Sequence, residues 1–195
     1  MGNTQDLRGC TVKIDTQQPI TVDNAGGVWH AVPFTLTLTA SDVSGDTTTQ
    51  YSIGDDLHWQ TGTAVPFTTA WKRGGGSTQV IVYYRSVNGA GVVESEKSCN
   101  VLIDTSRPST TDDAPRGPQA SAVTVHLTGH DTFSGVGQTW YQVDGGPWQT
   151  GATVVVLAPQ NHSNDGLHTI SYYSIDNAGN SEAGYKVCAV NIATQ

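Results

Sequence analysis

Cys99-Asn-Val-Leu-Ile-Asp104-Thr105-Ser-Arg-Pro108 is one of three related phrases in this chain. Cys10-Thr-Val-Lys-Ile-Asp15-Thr16-Gln-Gln-Pro19 precedes it, and Cys188-Ala-Val-Asn-Ile192-Ala-Thr194 follows, with 89 residues in each interval. A phrase that returns at a fixed period marks a repeat array. The 195-residue chain therefore reads as two copies of one module, residues 1–104 and 105–195, with residues 10–19 as a junction phrase of the array. Function in such arrays usually lies in spacing and presentation, because each unit contacts only its neighbours.

Between the junction phrases the copies align strand by strand. Phe34, Leu36 and Leu38 alternate with Thr35, Thr37 and Thr39, as Val123, Val125 and Leu127 alternate with Thr124, His126 and Thr128. Period-two alternation predicts strands with one face in a core and the other in water. A hairpin follows in each copy, Tyr51 to Trp59 and Tyr141 to Trp148, with Asp144-Gly145 suited to a tight turn. Its Tyr and Trp are expected to pack across the strands. Val80 to Tyr84 matches His168 to Tyr172, and Val87-Asn88-Gly89-Ala90-Gly91 matches Ile175-Asp176-Asn177-Ala178-Gly179-Asn180. About seven short strands per copy, with turn signals between them, predict a β-sandwich. The expected fold is all-β: two tandem Ig-like antiparallel β-sandwich domains without the Ig disulfide, since the Cys–Trp–Cys spacing of antibody domains is absent.

The second copy resembles the tandem bacterial Ig-like repeats of cell-surface proteins and secreted glycoside hydrolases. Ser134-Gly135-Val136, Tyr141-Gln-Val-Asp144-Gly145-Gly146, Asp165-Gly166-Leu-His168, Tyr173-Ser-Ile-Asp176-Asn-Ala-Gly179-Asn180-Ser-Glu182 and Ile103-Asp104-Thr105 carry the resemblance. In the first copy Asn88-Gly89-Ala-Gly91 and Gly54-Asp55-Asp56 replace two of these motifs. The resemblance implies a non-catalytic, extracellular or cell-surface module whose partners are neighbouring domains of the same polypeptide. It names no ligand, because one fold hosts many functions.

Composition narrows the field. The net charge is −8, charged residues make up 13%, and Lys and Arg form no cluster, which excludes a nucleic-acid footprint. No apolar run is long enough for a membrane-spanning helix. The opening residues lack the apolar core of a signal peptide, so the chain is expected to be a piece of a longer protein. The three cysteines are expected to be small, mostly buried thiols.

The candidate sites come in two groups. Asp176 can accept a backbone N–H two residues on and build the turn that ends at Gly179. Alternatively, Asp104 is expected to meet Asp131 or Asp176 and hold calcium at the junction, carboxylate oxygens being suited to that ion. Asp15 with Asp42 is the first-copy equivalent. The second group is Trp71, Lys72 and Arg73, in a loop without a counterpart, where an exposed ring and two cations would suit a glycan or host receptor. His126 and His130 are four apart, which on a strand leaves them roughly 13 Å apart and unfit to share a metal. No nucleophile elbow, phosphate loop or paired acids are present, so no enzyme activity is expected.

Overall fold

A computed structural model describes residues 14–68 and 78–195. Every regular element in it is a strand. In the first copy these are β1 (Ile20–Asp23), β2 (Trp29–His30), β3 (Phe34–Ser41), β4 (Thr47–Ile53), β5 (Gln60–Thr61), β6 (Ala64–Phe67), β7 (Thr78–Asn88) and β8 (Lys97–Ile103). The second copy gives β9 (Ser109–Asp112), β10 (Pro118–Gln119), β11 (Val123–His130), β12 (Val136–Val143), β13 (Gln149–Thr150), β14 (Thr153–Val156), β15 (Gly166–Asp176) and β16 (Lys186–Ile192). Among the described residues no helix is long and apolar enough to cross a membrane.

The first copy lays out a sheet of order β1-β3-β6 and one of order β2-β8-β7-β4-β5. The second repeats both, as β9-β11-β14 and β10-β16-β15-β12-β13. Each strand of one copy thus has a partner of the same rank in the other. Most pairing is antiparallel, but β2 runs parallel to β8 (Trp29 opposite Leu102) and β10 parallel to β16. That short parallel edge refines the antiparallel expectation. Compactness divides the described chain into residues 14–24, 36–65 and 81–99 on one side and 25–35, 66–68, 78–80 and 100–195 on the other.

The expected alternation holds in both copies. Leu36 and Leu38 are buried between exposed Thr35, Thr37 and Thr39, and Val123, Val125 and Leu127 between exposed Thr124, His126 and Thr128. In the second copy the buried side chains Val125, Leu127, Val154, Val156, Ile170, Tyr172, Val190 and Ile192 form one cluster. Each fully buried aliphatic side chain contributes about 1.5–3 kcal/mol by leaving water. The hairpin turn adopts positive φ at both central residues, Asp144 at 51° and Gly145 at 70°, the twist that suits two right-twisted strands.

Two expectations change. Trp148 meets Tyr173 and Tyr185 edge-on, with centroids 5.1 and 6.1 Å away, while Tyr141 reaches Gln149 opposite it. Trp59 lies under the Arg85 guanidinium, 4.2 Å from the ring centroid. Arg85 and Tyr173 hold the same place on β7 and β15, one residue after Tyr84 and Tyr172, so the two tryptophans are covered by different chemistry. The second change concerns the thiols. Cys99 and Cys188 are free and only half-buried: they share the inward face of β8 and β16 with Val101 and Val190 but lie nearer the strand starts, where the neighbouring residues are exposed. Burial still pushes both thiols up to about 12, which keeps them protonated and poorly nucleophilic. Cys10 lies outside the described residues.

Candidate functional site

The three acids nominated from sequence come together. Asp104 follows β8 directly, Asp131 follows β11, and Asp176 ends β15. One carboxylate oxygen from each lies within 4.8 Å of the other two. Asp104 is fully buried and Asp176 is 4% exposed.

Backbone N–H groups hold each carboxylate in place. Asp104 Oδ1 accepts from Ser106 at 2.8 Å, and its Oδ2 accepts from Ser134 at 2.9 Å. Asp131 Oδ1 accepts from Phe133 and Gly135. Asp176 Oδ1 accepts from Ala178 and Asn180 at 2.9 and 2.8 Å, and Oδ2 from the Asn180 amide at 2.8 Å. Asp176 therefore builds the expected turn, with Gly179 at a φ of 96°, where a side chain would be strained. The Asn180 amide also donates to the Asp104 carbonyl at 3.1 Å.

Two polar atoms beside this cluster are buried without a hydrogen-bond partner: Asp131 Oδ2 and Ser134 Oγ. Both belong to the loop between β11 and β12, and Ser134 is only 9% exposed. Buried polar atoms almost always find partners, so two together in one loop call for an explanation.

The first copy solves the same position differently. Its matching residues are Asp15, Asp42 and Asn88. Asn88 Oδ1 accepts from Ala90 and Val92 at 3.1 and 2.9 Å, repeating the bonds of Asp176 Oδ1. Its amide nitrogen donates to Asp15 Oδ2 at 3.2 Å, to the Gln17 carbonyl at 3.0 Å and, at 3.5 Å, to both oxygens of Asp42. The Ser44 hydroxyl and N–H hold the Asp42 carboxyl below its usual range. An amide thus bridges the first pair of acids, where the second copy presents a third acid.

A second, duplicated feature was not read from sequence. Glu94 Oε1 accepts from the Thr21 N–H and Oε2 from the Thr21 hydroxyl, at 2.8 and 2.6 Å; the Ser86 N–H adds a bond to Oε2 at 3.2 Å. Lys97 reaches both Glu94, at 2.5 Å, and the Thr21 carbonyl, at 2.8 Å. Glu182, Thr110, Ser174 and Lys186 reproduce the arrangement bond for bond. Ser86 also bonds Thr49, and Ser174 bonds Thr139. Burial alone would raise the Glu94 pKa, but the bonds from Lys97 and Thr21 outweigh it and lower the value. The sequence carried a signal, since Ser, Glu and Lys recur together after the long strand. Strand periodicity does not show that such a glutamate points inward.

The candidate ligand residues Trp71, Lys72 and Arg73 lie outside the described residues. His126 and His130 sit on the exposed face of β11, where His126 pairs with Asp113 at 2.8 Å.

No family model and no curated protein matches the chain. Among solved structures, the fibronectin(III)-like modules of Clostridium thermocellum CbhA are similar, with TM-score 0.53 and 14% identity over 90% of this chain and 94% of that one. A 1.5-MDa bacterial ice-binding adhesin, in a structure titled for host cell surface retention, gives 0.45 and 16% over 93% and 67%. The chicken CNTN1 FN1–FN3 domains give 0.43 and 12% over 85% and 64%. At such identities the CbhA likeness speaks to fold. The chain folds as two tandem Ig-like β-sandwiches, a fold it shares with the CbhA modules.

Proposed function

We propose that the chain is a non-catalytic spacer and presentation element of a larger bacterial surface or secreted protein. It works outside the cell, beside neighbouring domains of the same polypeptide. The observation that carries this reading is the duplicated polar frame around Glu94 and Glu182. Repeated structural investment at one spacing is what a modular strut needs, whereas a binding or catalytic site is usually grafted onto one copy. The resemblance of the second copy to bacterial Ig-like repeats, and the likeness to modules of CbhA, support the modular role.

The competing reading is an adhesin or enzyme-accessory module that uses Trp71, Lys72 and Arg73 to bind a glycan or a host receptor. A broad glycan and polysaccharide array, probed with the whole chain, separates the two. The spacer reading expects no binding above background. Binding that disappears in Trp71→Ala would overturn it and locate the contact in the first copy.

A further inference from the structure

We propose that Asp104, Asp131 and Asp176 bind one calcium ion, and that the first copy binds none at the matching position because the Asn88 amide already occupies it. The inference rests on this site's geometry and is independent of the presentation role.

The two copies provide an internal comparison. Asn88 and Asp176 end equivalent strands and make the same pair of backbone bonds through Oδ1. The second side-chain atom must then occupy the same place in both. In the first copy that atom is a nitrogen, and it donates toward Asp15 and Asp42. In the second it is an oxygen; it accepts from the Asn180 amide at 2.8 Å, and one carboxylate oxygen of Asp176 lies within 4.8 Å of the other two acids. Exchanging Asn for Asp keeps the shape and inverts the polarity. A donor between two acids becomes a third acceptor; backbone N–H groups and the Asn180 amide offset part of the repulsion, and three carboxylates gathered in a mostly buried site favour a cation between them.

The orphaned atoms point the same way. Asp131 Oδ2 and Ser134 Oγ are buried beside the cluster without a partner, and both are oxygens able to coordinate a hard ion. Calcium takes oxygen ligands at about 2.3–2.6 Å, so two on opposite sides of the ion lie about 4.6–5.2 Å apart. The observed spacing admits that geometry with little movement. Three carboxylate oxygens, a hydroxyl and water would complete a flexible shell of the kind calcium accepts. Magnesium demands shorter, near-octahedral contacts.

Isothermal titration of the whole chain with calcium chloride tests the proposal, with thermal unfolding in calcium and in chelator alongside. The expected result is one calcium per chain and a higher unfolding temperature in calcium. Asp176→Asn keeps the Oδ1 turn bonds that Asn88 makes in the first copy, so it should fold, and it should weaken calcium binding on the order of 10–100-fold. Asn88→Asp should create a second site. Asp56→Asn removes an exposed acid from neither cluster and should change nothing, which separates site binding from general attraction to an acidic protein. No binding at millimolar calcium would overturn the proposal, as would a wild-type stoichiometry of two or an Asp176→Asn variant that binds as tightly as the parent. Tighter binding of magnesium than of calcium would overturn the identity of the ion.

Discussion

The buried frame around Glu94 and the one around Glu182 are nearly superimposable in their bonding, whereas the turns at Asn88 and Asp176 share their Oδ1 bonds but differ at the other side-chain atom and at the residue that closes the turn, Val92 or Asn180. The frame conserves a balance that cannot change piecemeal. Each glutamate answers two N–H groups, a hydroxyl and a lysine, so altering any one group leaves another buried and unsatisfied. The turn is more permissive. Its Oδ1 atom fixes the backbone, and the remaining atom can be donor or acceptor according to what stands opposite. Structural uniformity and local specialisation thus coexist within one module.

The largest expected effect tests the uniformity. Glu94→Ala and Glu182→Ala should each destabilise the affected copy by about 3–5 kcal/mol, the scale for breaking a buried ion pair from one side. Urea denaturation checks this, and a cost in one copy less than half that in the other would break the equivalence. Smaller is the effect of Gly137→Ala. β12 carries a bulge between Val136 and Gln138, and a Cβ on Gly137 would lie 2.9 Å from the Asp176 carbonyl oxygen and 3.0 Å from its carbon. Backbone must move, at about 1–3 kcal/mol. The first copy pairs Thr47 with Asn88 without a shift, so Thr47→Ala should stay within about 0.5 kcal/mol. Equal costs in the two variants would remove the bulge as the distinguishing feature.

The smallest effect concerns pH. His168 is raised above its ordinary value by the Asn164 carbonyl and by Asp144, which it meets at 2.9 and 2.7 Å; the first copy has Val80 at this place. A raised histidine contributes fully below its unfolded value of about 6.5 and loses the contribution as pH rises through the folded one. Asp144 is held low: burial acts against this, but the bonds from His168 and Thr169 prevail. Its share is therefore present above its unfolded value and is lost only as pH falls through the folded one. Thermal unfolding of His168→Val against the parent should show a deficit at about pH 5.5 that shrinks at about pH 8, worth at most about 1 kcal/mol because Asp144 is about half-exposed and water screens the pair. A deficit that grows with pH would contradict the assignment.

Much of the fold was legible because it rests on local rules. Alternation along Phe34 to Thr39 and Val123 to Thr128 fixed which face is buried, and Asp144-Gly145 fixed a turn. The Asp104, Asp131 and Asp176 grouping was legible because the same period placed each acid just beyond a strand, and strand ends of a sandwich gather at its poles. The glutamate frame was not, since an acid within a polar run looks solvated until its partners on distant strands are known. Trp148 was misassigned for a related reason. Its neighbour Tyr185 lies beyond β15 in sequence, and only folding brings that segment over the hairpin.

By itself the sequence determined the repeat, the class of fold, the strand faces and the acids at the strand ends, all consequences of periodicity and backbone preference. Only the tertiary structure decided which side-chain atoms confront one another: nitrogen between the acids of the first copy, oxygen among those of the second. A hydrogen-bond donor and an acceptor of the same shape are equally compatible with a turn, and the difference acquires meaning only when three segments far apart in the chain converge.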